Sequence, residues 1–385
     1  MKITKRLTNW LETNASAPTY GGWVLAGVSV SYLGAAINTM TGWLYVISGV
    51  SLAILGLSIF SAPRLLKNLV VKRFPIPPIT AGDELSIEIE IHNPTQKPVS
   101  LLLVSDTLPF VLGEPTKQPI DIIEPEKFYR WHYYQPTQRR GIYKWLQVEL
   151  ATGAPWGLFW CRRQRECPAI AIVYPTVLPL SNCPLVDEIG QDDSQRNDPR
   201  GKPLQLATSG LVRSLRPYRI GDPTRLIHWR TSARYGELRV RELELITGGQ
   251  EVIIALDTAA KWDEEQFEQA VIAAASLYFY AQRQELQVQL WTAATGVVKG
   301  DVTILEALAA TNPLEEDKQP PETSPLIWLT QNPLTLSNLP ADSRWVLWQD
   351  PNSSAKMIVN QDYSGIILDS EQELQLQLQK PLASF

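Results

Sequence analysis

The chain has 385 residues, 44% of them hydrophobic, and a formal net charge of −5. That is enough apolar material for two or three cores and too much for a disordered chain. The acidic balance argues against general nucleic-acid binding, which needs a basic surface.

The first elements are two nearly uncharged segments, Gly22–Ile37 and Trp43–Phe60, separated by the short loop Asn38-Thr39-Met40-Thr41-Gly42. A helix of roughly 18 residues at about 1.5 Å per residue just crosses a hydrocarbon core of about 30 Å. Aromatic residues stand where interfacial rings belong: Tyr20 and Trp23, Trp43 and Tyr45, then Phe60. A transmembrane α-hairpin is therefore expected within residues 1–74. A signal peptide fits poorly, because polar Glu12–Ser16 precedes the first span and a second apolar run follows it. A buried hairpin in a soluble fold lacks neighbouring helical patterns to cover it. Lys2, Lys5 and Arg6 precede the hairpin, and Arg64, Lys67, Lys72 and Arg73 follow it, while the loop is uncharged. Basic flanks stay in the cytoplasm, so both termini should face inward. The stretch Arg64–Arg73 also suits an anionic leaflet.

Pro75-Ile76-Pro77-Pro78 reads as a stiff linker. Then Leu85, Ile87, Ile89 and Ile91 alternate with polar residues, the period of a half-buried strand. Val99–Val104, Phe128–Tyr134 and Gly141–Leu150 continue the strand pattern, so residues 75–184 should form an antiparallel, immunoglobulin-like β-sandwich. Cys161, Cys167 and Cys183 are an odd number without C-x-x-C spacing. A disulfide framework and a zinc site are both unsupported, and free thiols in a reduced compartment are expected. Residues 185–203 are polar, acidic and broken by Gly and Pro, and read as a mobile connection.

Residues 204–385 open with an arginine-rich segment and continue as alternating strands and helices. Glu251–Asp257 is a buried strand. Asp263 and Gln266 form a capping-box pattern for a helix running to about Arg283, with Phe267, Val271, Ala274 and Tyr278 on one face. Val288–Thr292, Leu326–Leu329, Trp345–Trp348 and Gly365–Leu368 are further strands, Ile304–Ala310 is a short helix, and Asn312–Pro325 is a surface insertion. This alternation implies a parallel sheet with crossover helices.

The densest chemical signal lies between Arg213 and Arg234, where arginines concentrate in an otherwise acidic chain. Guanidinium forks suit carboxylate or phosphate. One reading is a recognition surface for an acidic partner. The other is a buried network, with Asp222 paired to Arg216 or Arg225 and Trp229 packed below. Arg230, Arg234, Arg239 and Arg241 read as solvated or partner-facing. The pattern formed by Arg216, Tyr218, Gly221, Asp222, Arg225, Ile227, Trp229, Ser232 and Arg234 resembles the signature of the domain of unknown function 58 family. Arg140-Gly141-Ile142-Tyr143, Ala154-Pro155-Trp156-Gly157-Leu158-Phe159 and the paired spans are similar to that family as well. The resemblance implies a von Willebrand factor A-like C-terminal domain. It also implies association with MoxR-type AAA+ ATPases that assemble or activate other proteins. No reaction comes with it.

Von Willebrand-type domains often hold Mg²⁺ through D-x-S-x-S. Here the string is Asp257-Thr258-Ala259-Ala260-Lys261, with two oxygen ligands missing and a cation in place of one. No metal or other cofactor is expected, and Asp257 should pair with Lys261 or cap the following turn. His228 is the one candidate acid–base group. Ser232 lacks a recognisable base, and P-loop, G-x-S-x-G and G-x-G-x-x-G motifs are absent. The chain thus reads as a multidomain, membrane-anchored cytoplasmic adaptor, not an enzyme, with a MoxR-type ATPase as partner. The alternatives are a membrane-bound hydrolase or transferase using His228 and Asp222, and an envelope scaffold without an ATPase.

Overall fold

A computed structural model of the protein describes residues 16–189, 211–218, 227–244, 251–315, 320–321, 325–340, 342–349, 364–369 and 372–382. The chain divides into two compact units, Met1–Thr176 and Val177–Phe385.

The first unit begins with β1 (Ala17–Pro18), α1 (Tyr20–Thr39) and α2 (Gly42–Lys67). The residues that the two helices bury are mostly small, with Leu44 and Leu55 of α2 among them. Gly22, Ser29 and Ala36 are buried at heptad spacing on α1, and Ser48 and Ser58 on α2. Ser48 Oγ donates across the pair to the Ser29 carbonyl at 2.9 Å. Ser29, Ser31, Thr39, Ser58 and Ser61 return their hydroxyl protons to the carbonyl four residues back. The outer faces are apolar and uncovered, with Val24, Val28, Val30, Val46, Val50 and Leu57 all exposed.

The strands of this unit are β2 (Val70–Arg73), β3 (Ile79–Thr80), β4 (Glu84–His92), β5 (Val99–Asp106), β6 (Thr116–Ile123), β7 (Phe128–Pro136), β8 (Gly141–Thr152) and β9 (Phe159–Tyr174). They form two sheets, ordered β2-β4-β7 and β1-β9-β8-β5-β6, with β3 added to β9 in parallel. The alternation in β4 buries Leu85, Ile87, Ile89 and Ile91 against Val104, Val148, Leu150 and Ala171 of the facing sheet. The result is a β-sandwich that is antiparallel except for the two-residue β3.

Hairpin and sandwich are fastened at the hairpin's open end. Thr19 caps α1, and its Oγ1 donates to the carbonyls of Gly157 (2.8 Å) and Leu158 (3.0 Å). A Cβ at Gly22 would come within 2.2 Å of the Leu158 carbonyl oxygen, so only glycine fits there. Pro63 inside α2 has no N–H to offer the Ile59 carbonyl, and Ser16 Oγ donates to that carbonyl instead. Arg165 Nη2 caps the last turn of α2 at the carbonyls of Leu66 and Lys67. Ala62, Leu66 and Leu69 belong to the sandwich core.

Arg73 departs from its expected place at a lipid surface. It sits in β2, which pairs with β4, so the sandwich already begins before Pro75. Its side chain is 2% exposed and donates to the fully buried Asp106 Oδ1 at 2.6 Å. Tyr133 Oη and Trp145 Nε1 complete the carboxylate's shell at 2.7 and 3.0 Å, and Arg73 lies over the Trp145 ring. Burial pushes the Asp106 carboxyl up from the ordinary carboxylate range, opposed by the Arg73 charge and then by these hydrogen bonds. Lys72, one residue away, is exposed.

The second unit holds α3 (Pro184–Asp187), β10 (Leu211–Pro217), α4 (Trp229–Tyr235), β11 (Arg239–Glu244), β12 (Glu251–Leu256), α5 (Glu264–Arg283), β13 (Gln287–Thr292) and β14 (Gly296–Val298). It continues through α6 (Asp301–Ala310), β15 (Leu326–Thr330), β16 (Arg344–Trp348), β17 (Gly365–Leu368) and α7 (Leu374–Leu378). The main sheet runs β14-β13-β12-β15-β16-β17, parallel except at β14. Counted within the sheet this is the doubly wound order 3-2-1-4-5-6. Phe267, Val271, Ala274 and Tyr278 of α5 pack against Ile254, Leu256 and Leu329, as the helical period requires. Asp263 caps α5, but the capping box does not close. Gln331 Oε1 accepts the Asp263 N–H, and Gln266 turns to Gln331 and the Gln349 carbonyl.

The expected connection 185–203 starts too early. Pro184 opens α3, and Leu185, Val186 and Ile189 are buried in the α/β core, while residues 190–203 lie outside the described residues. The three cysteines are free and buried, and burial pushes every thiol up, Cys183 to about 12.

Removing one member of a buried pair strands the other charge. Asp106→Ala and Arg73→Ala are each expected to cost about 3–5 kcal/mol. Lys72→Ala should change stability by less than about 0.5 kcal/mol. Denaturant unfolding of the purified chain, followed by tryptophan emission, measures all three.

Candidate functional site

The arginine-rich segment is built on a two-stranded antiparallel ribbon. β10 pairs with β11 from Leu211↔Glu244 to Pro217↔Arg239, with an irregularity at Val212/Ser214. Tyr218 N–H then donates to the Leu238 carbonyl, and His228 N–H to that of Arg239. Ile227 bridges Val240, so the chain is bound to the ribbon just before it enters the seven-residue helix α4. Gly236, at φ +71°, ends that helix in the left-handed conformation that glycine adopts without strain.

His228 is the N-cap of α4. Its Nδ1 accepts the Thr231 N–H at 3.2 Å and lies 2.7 Å from Thr231 Oγ1. Ser232 is buried, and its Oγ donates to the His228 carbonyl while accepting the Arg239 N–H at 2.9 Å. Both side chains serve the joint between helix and ribbon, which is the opposite of a freed nucleophile beside a base.

Trp229 does not pack beneath a charged network. It is 65% exposed, and Arg230, Arg234, Tyr235 and Leu238 are exposed with it. Arg239 is half-buried instead of solvated, with its guanidinium 4.5 Å from the Tyr235 ring centre. Arg216 lies in β10 with its backbone opposite Val240. The side chains of Arg216 and Arg241, and all of Gly221, Asp222 and Arg225, lie outside the described residues. Tyr235 and Leu238 escaped notice in the sequence because neither belongs to the arginine pattern. Their signal was that apolar residues interrupt the cations on a short helix and its exit turn.

The second location is the carboxyl end of β12. Asp257 is 5% exposed, and Thr330 Oγ1 donates to its Oδ2 at 2.7 Å. Asp257 Oδ1 accepts the Ala260 N–H at 3.3 Å, so it does cap the following turn. A cavity of about 390 Å³ adjoins it, lined by Trp291, Trp328, Asn332, Thr335 and Leu339 among others. This is the crevice at the strand ends where open α/β sheets take ligands. The two indoles were unreadable as neighbours, because β13 and β15 are brought to the same face only through β12. Among the described residues, no group of three or more His, Cys, Asp or Glu is placed to hold a metal ion.

Residues 214–304 match the family described as "Protein of unknown function DUF58". The chain thus contains a DUF58 domain, spanning the ribbon, α4 and the first half of the α/β sheet. No curated protein matches the chain. Among solved structures it is similar to the CARDB domain of a Pyrococcus furiosus protein, in complex with di-metal ions. That match has 9% identity over 27% of this chain and 93% of that one, at a TM-score of 0.19. It is also similar to a GH20 exo-β-N-acetylglucosaminidase from Vibrio harveyi, with 10% identity over 30% of this chain and 22% of that one, at a TM-score of 0.20. Likenesses at such scores carry neither fold nor function to this protein.

Ser232→Ala leaves the Arg239 N–H without its acceptor and is expected to cost about 1–3 kcal/mol. Trp229→Ala should change stability by less than about 0.5 kcal/mol. Hydrogen exchange of the amides from 227 to 244 reads the first as lost protection and the second as none.

Proposed function

Because residues 214–304 form a DUF58 domain, we propose that this protein is a membrane-anchored adaptor, not an enzyme. In this reading it holds a protein-binding surface in the cell interior. The observation that carries the proposal is the uncovered apolar surface of α1 and α2. A core hairpin of a soluble protein would bury those faces. Here only 17% and 22% of the apolar stretches are buried. Contiguous apolar surface of that extent marks a lipid or protein contact. The Ser48–Ser29 bond between the helices and the serine and threonine hydroxyls bonded to carbonyls one turn back support lipid as that contact, since hydrocarbon offers no water to satisfy polar groups. The basic flanks support two spans with both termini inward.

The partner-facing surface is Trp229 and Tyr235 with Arg230 and Arg234. Trp, Tyr and Arg are the residues that dominate interface energetics. Their exposure on a helix fixed by Ser232 and His228 supports recognition over catalysis. The doubly wound strand order, with Asp257 at the end of its first strand, supports the von Willebrand factor A-like reading of the α/β domain. Resemblance to the DUF58 family points to a MoxR-type AAA+ ATPase as the partner, with assembly or activation of other proteins as the outcome.

The test is affinity capture of the tagged full chain from native membranes with a non-hydrolysable ATP analogue present. A MoxR-type ATPase should co-purify, and the Trp229→Ala, Arg234→Glu double variant should lose it while remaining folded. Recovery of no such ATPase with nucleotide retained contradicts the proposed partnership.

A further inference from the structure

We propose that the β8–β9 loop, residues 153–158, is a third lipid contact, with the Trp156 indole seated in the headgroup layer at the open end of the hairpin. This rests on the membrane-spanning reading of α1 and α2 and adds to it a part of the sandwich that no apolar segment identifies.

The loop is bonded to the first turn of α1. Thr19 N–H donates to the Leu158 carbonyl at 2.9 Å, and Thr19 Oγ1 to Gly157 and Leu158 at 2.8 and 3.0 Å. Gly22 lets the Leu158 carbonyl lie directly against the helix. That first turn carries Tyr20 and Trp23, 87% and 66% exposed, the rings that mark the interface on α1. The exit of α2 lies at the same open end, with Phe60, Arg64 and Lys67 exposed. Successive Cα atoms are about 3.8 Å apart, so Trp156 stands one residue from a carbonyl that α1 itself holds. The headgroup layer on each side of the hydrocarbon is about 5–8 Å deep. A residue tied so closely to the interfacial turn falls inside that layer.

Exposure in the loop is confined to its tip. Ala154 and Phe159 are buried, whereas Pro155, Trp156 and Gly157 are exposed, Trp156 at 52%. An indole has an apolar body and one N–H donor, and it gains most where hydrocarbon meets phosphate and water. Arg64 and Lys67, on the turns of α2 beyond Phe60, favour anionic headgroups. The sandwich thus stands on the leaflet by one of its ends, and the loop fixes its tilt.

The experiment uses the full chain reconstituted in phosphatidylcholine–phosphatidylglycerol vesicles. Trp156→Cys, Val30→Cys and Gln138→Cys variants each carry an environment-sensitive fluorophore, with the three native cysteines replaced by alanine. Gln138 is exposed beyond the far end of β8, whose 12 residues span about 40 Å. The label at 156 should be quenched by shallow nitroxide lipids and react severalfold more slowly with an aqueous quencher than the label at 138. The label at 30 should be quenched by deep nitroxide lipids. If position 156 is as accessible as 138 while position 30 is quenched from the hydrocarbon, the loop proposal is overturned and the spans stand. If position 30 is not quenched, the spanning reading fails, and the loop proposal with it. Should Trp156→Cys unfold, the native-minus-Trp156→Phe emission spectrum replaces it. A blue shift on reconstitution supports the contact, and an unshifted difference spectrum overturns it.

Discussion

Apolar side chains on a helical hairpin need a cover, and α1 and α2 give each other very little. Within the hairpin Ser29, Ala36, Leu44, Ser48, Leu55 and Ser58 are buried, while most of the large residues point outward. In water such a surface would draw the hairpin into a core or into aggregates. In lipid the same arrangement is favourable, because small residues allow close approach and Ser29, Ser31, Thr39, Ser48, Ser58 and Ser61 bond their hydroxyls within the hairpin. The proposed anchoring, orientation and partner access all follow from that one choice of solvent.

The second constraint is rigidity at the hairpin's open end. A helix freed of one hydrogen bond by Pro63, a cap supplied by Arg165 and a glycine pressed against Leu158 leave no slack between hairpin and sandwich. The buried Arg73–Asp106 pair extends the joint into the first strand after α2. A floppy tether would let the sandwich tumble above a membrane. A fastened one holds one end of the sandwich, loop 153–158 included, beside the first turn of α1. Rigid support of this kind also recurs in the DUF58 segment, where Ser232 and His228 tie α4 to its ribbon and leave Trp229 outward.

Much of this was legible in the residues alone. Period-two alternation located β4, the 3.6-residue period located α5 and its buried face, and the two apolar runs located both helices of the hairpin, although α2 continues past Phe60 to Lys67. What escaped was decided by distant partners. Arg73 looks like a membrane-flanking cation because its carboxylate comes 33 residues later. Gln266 looks like half of a capping box, but Gln331, 65 residues on, competes for its side chain. Leu185 and Val186 are two apolar residues among acids, with only Pro184 to mark a helix start. Trp229 sits in a dense charged motif that suggests burial, and nothing local says that the helix turns it out.

The central claim is that the hairpin crosses the lipid and leaves the rest of the chain inside the cell. Single cysteines at Met40, in the loop between the helices, and at Leu376, on α7, test it most directly, since both positions are exposed and the native thiols are buried. In intact cells, a membrane-impermeant maleimide should label Met40→Cys at once and Leu376→Cys only after lysis. Labelling of Leu376→Cys from outside, or of neither position until lysis, would contradict the account.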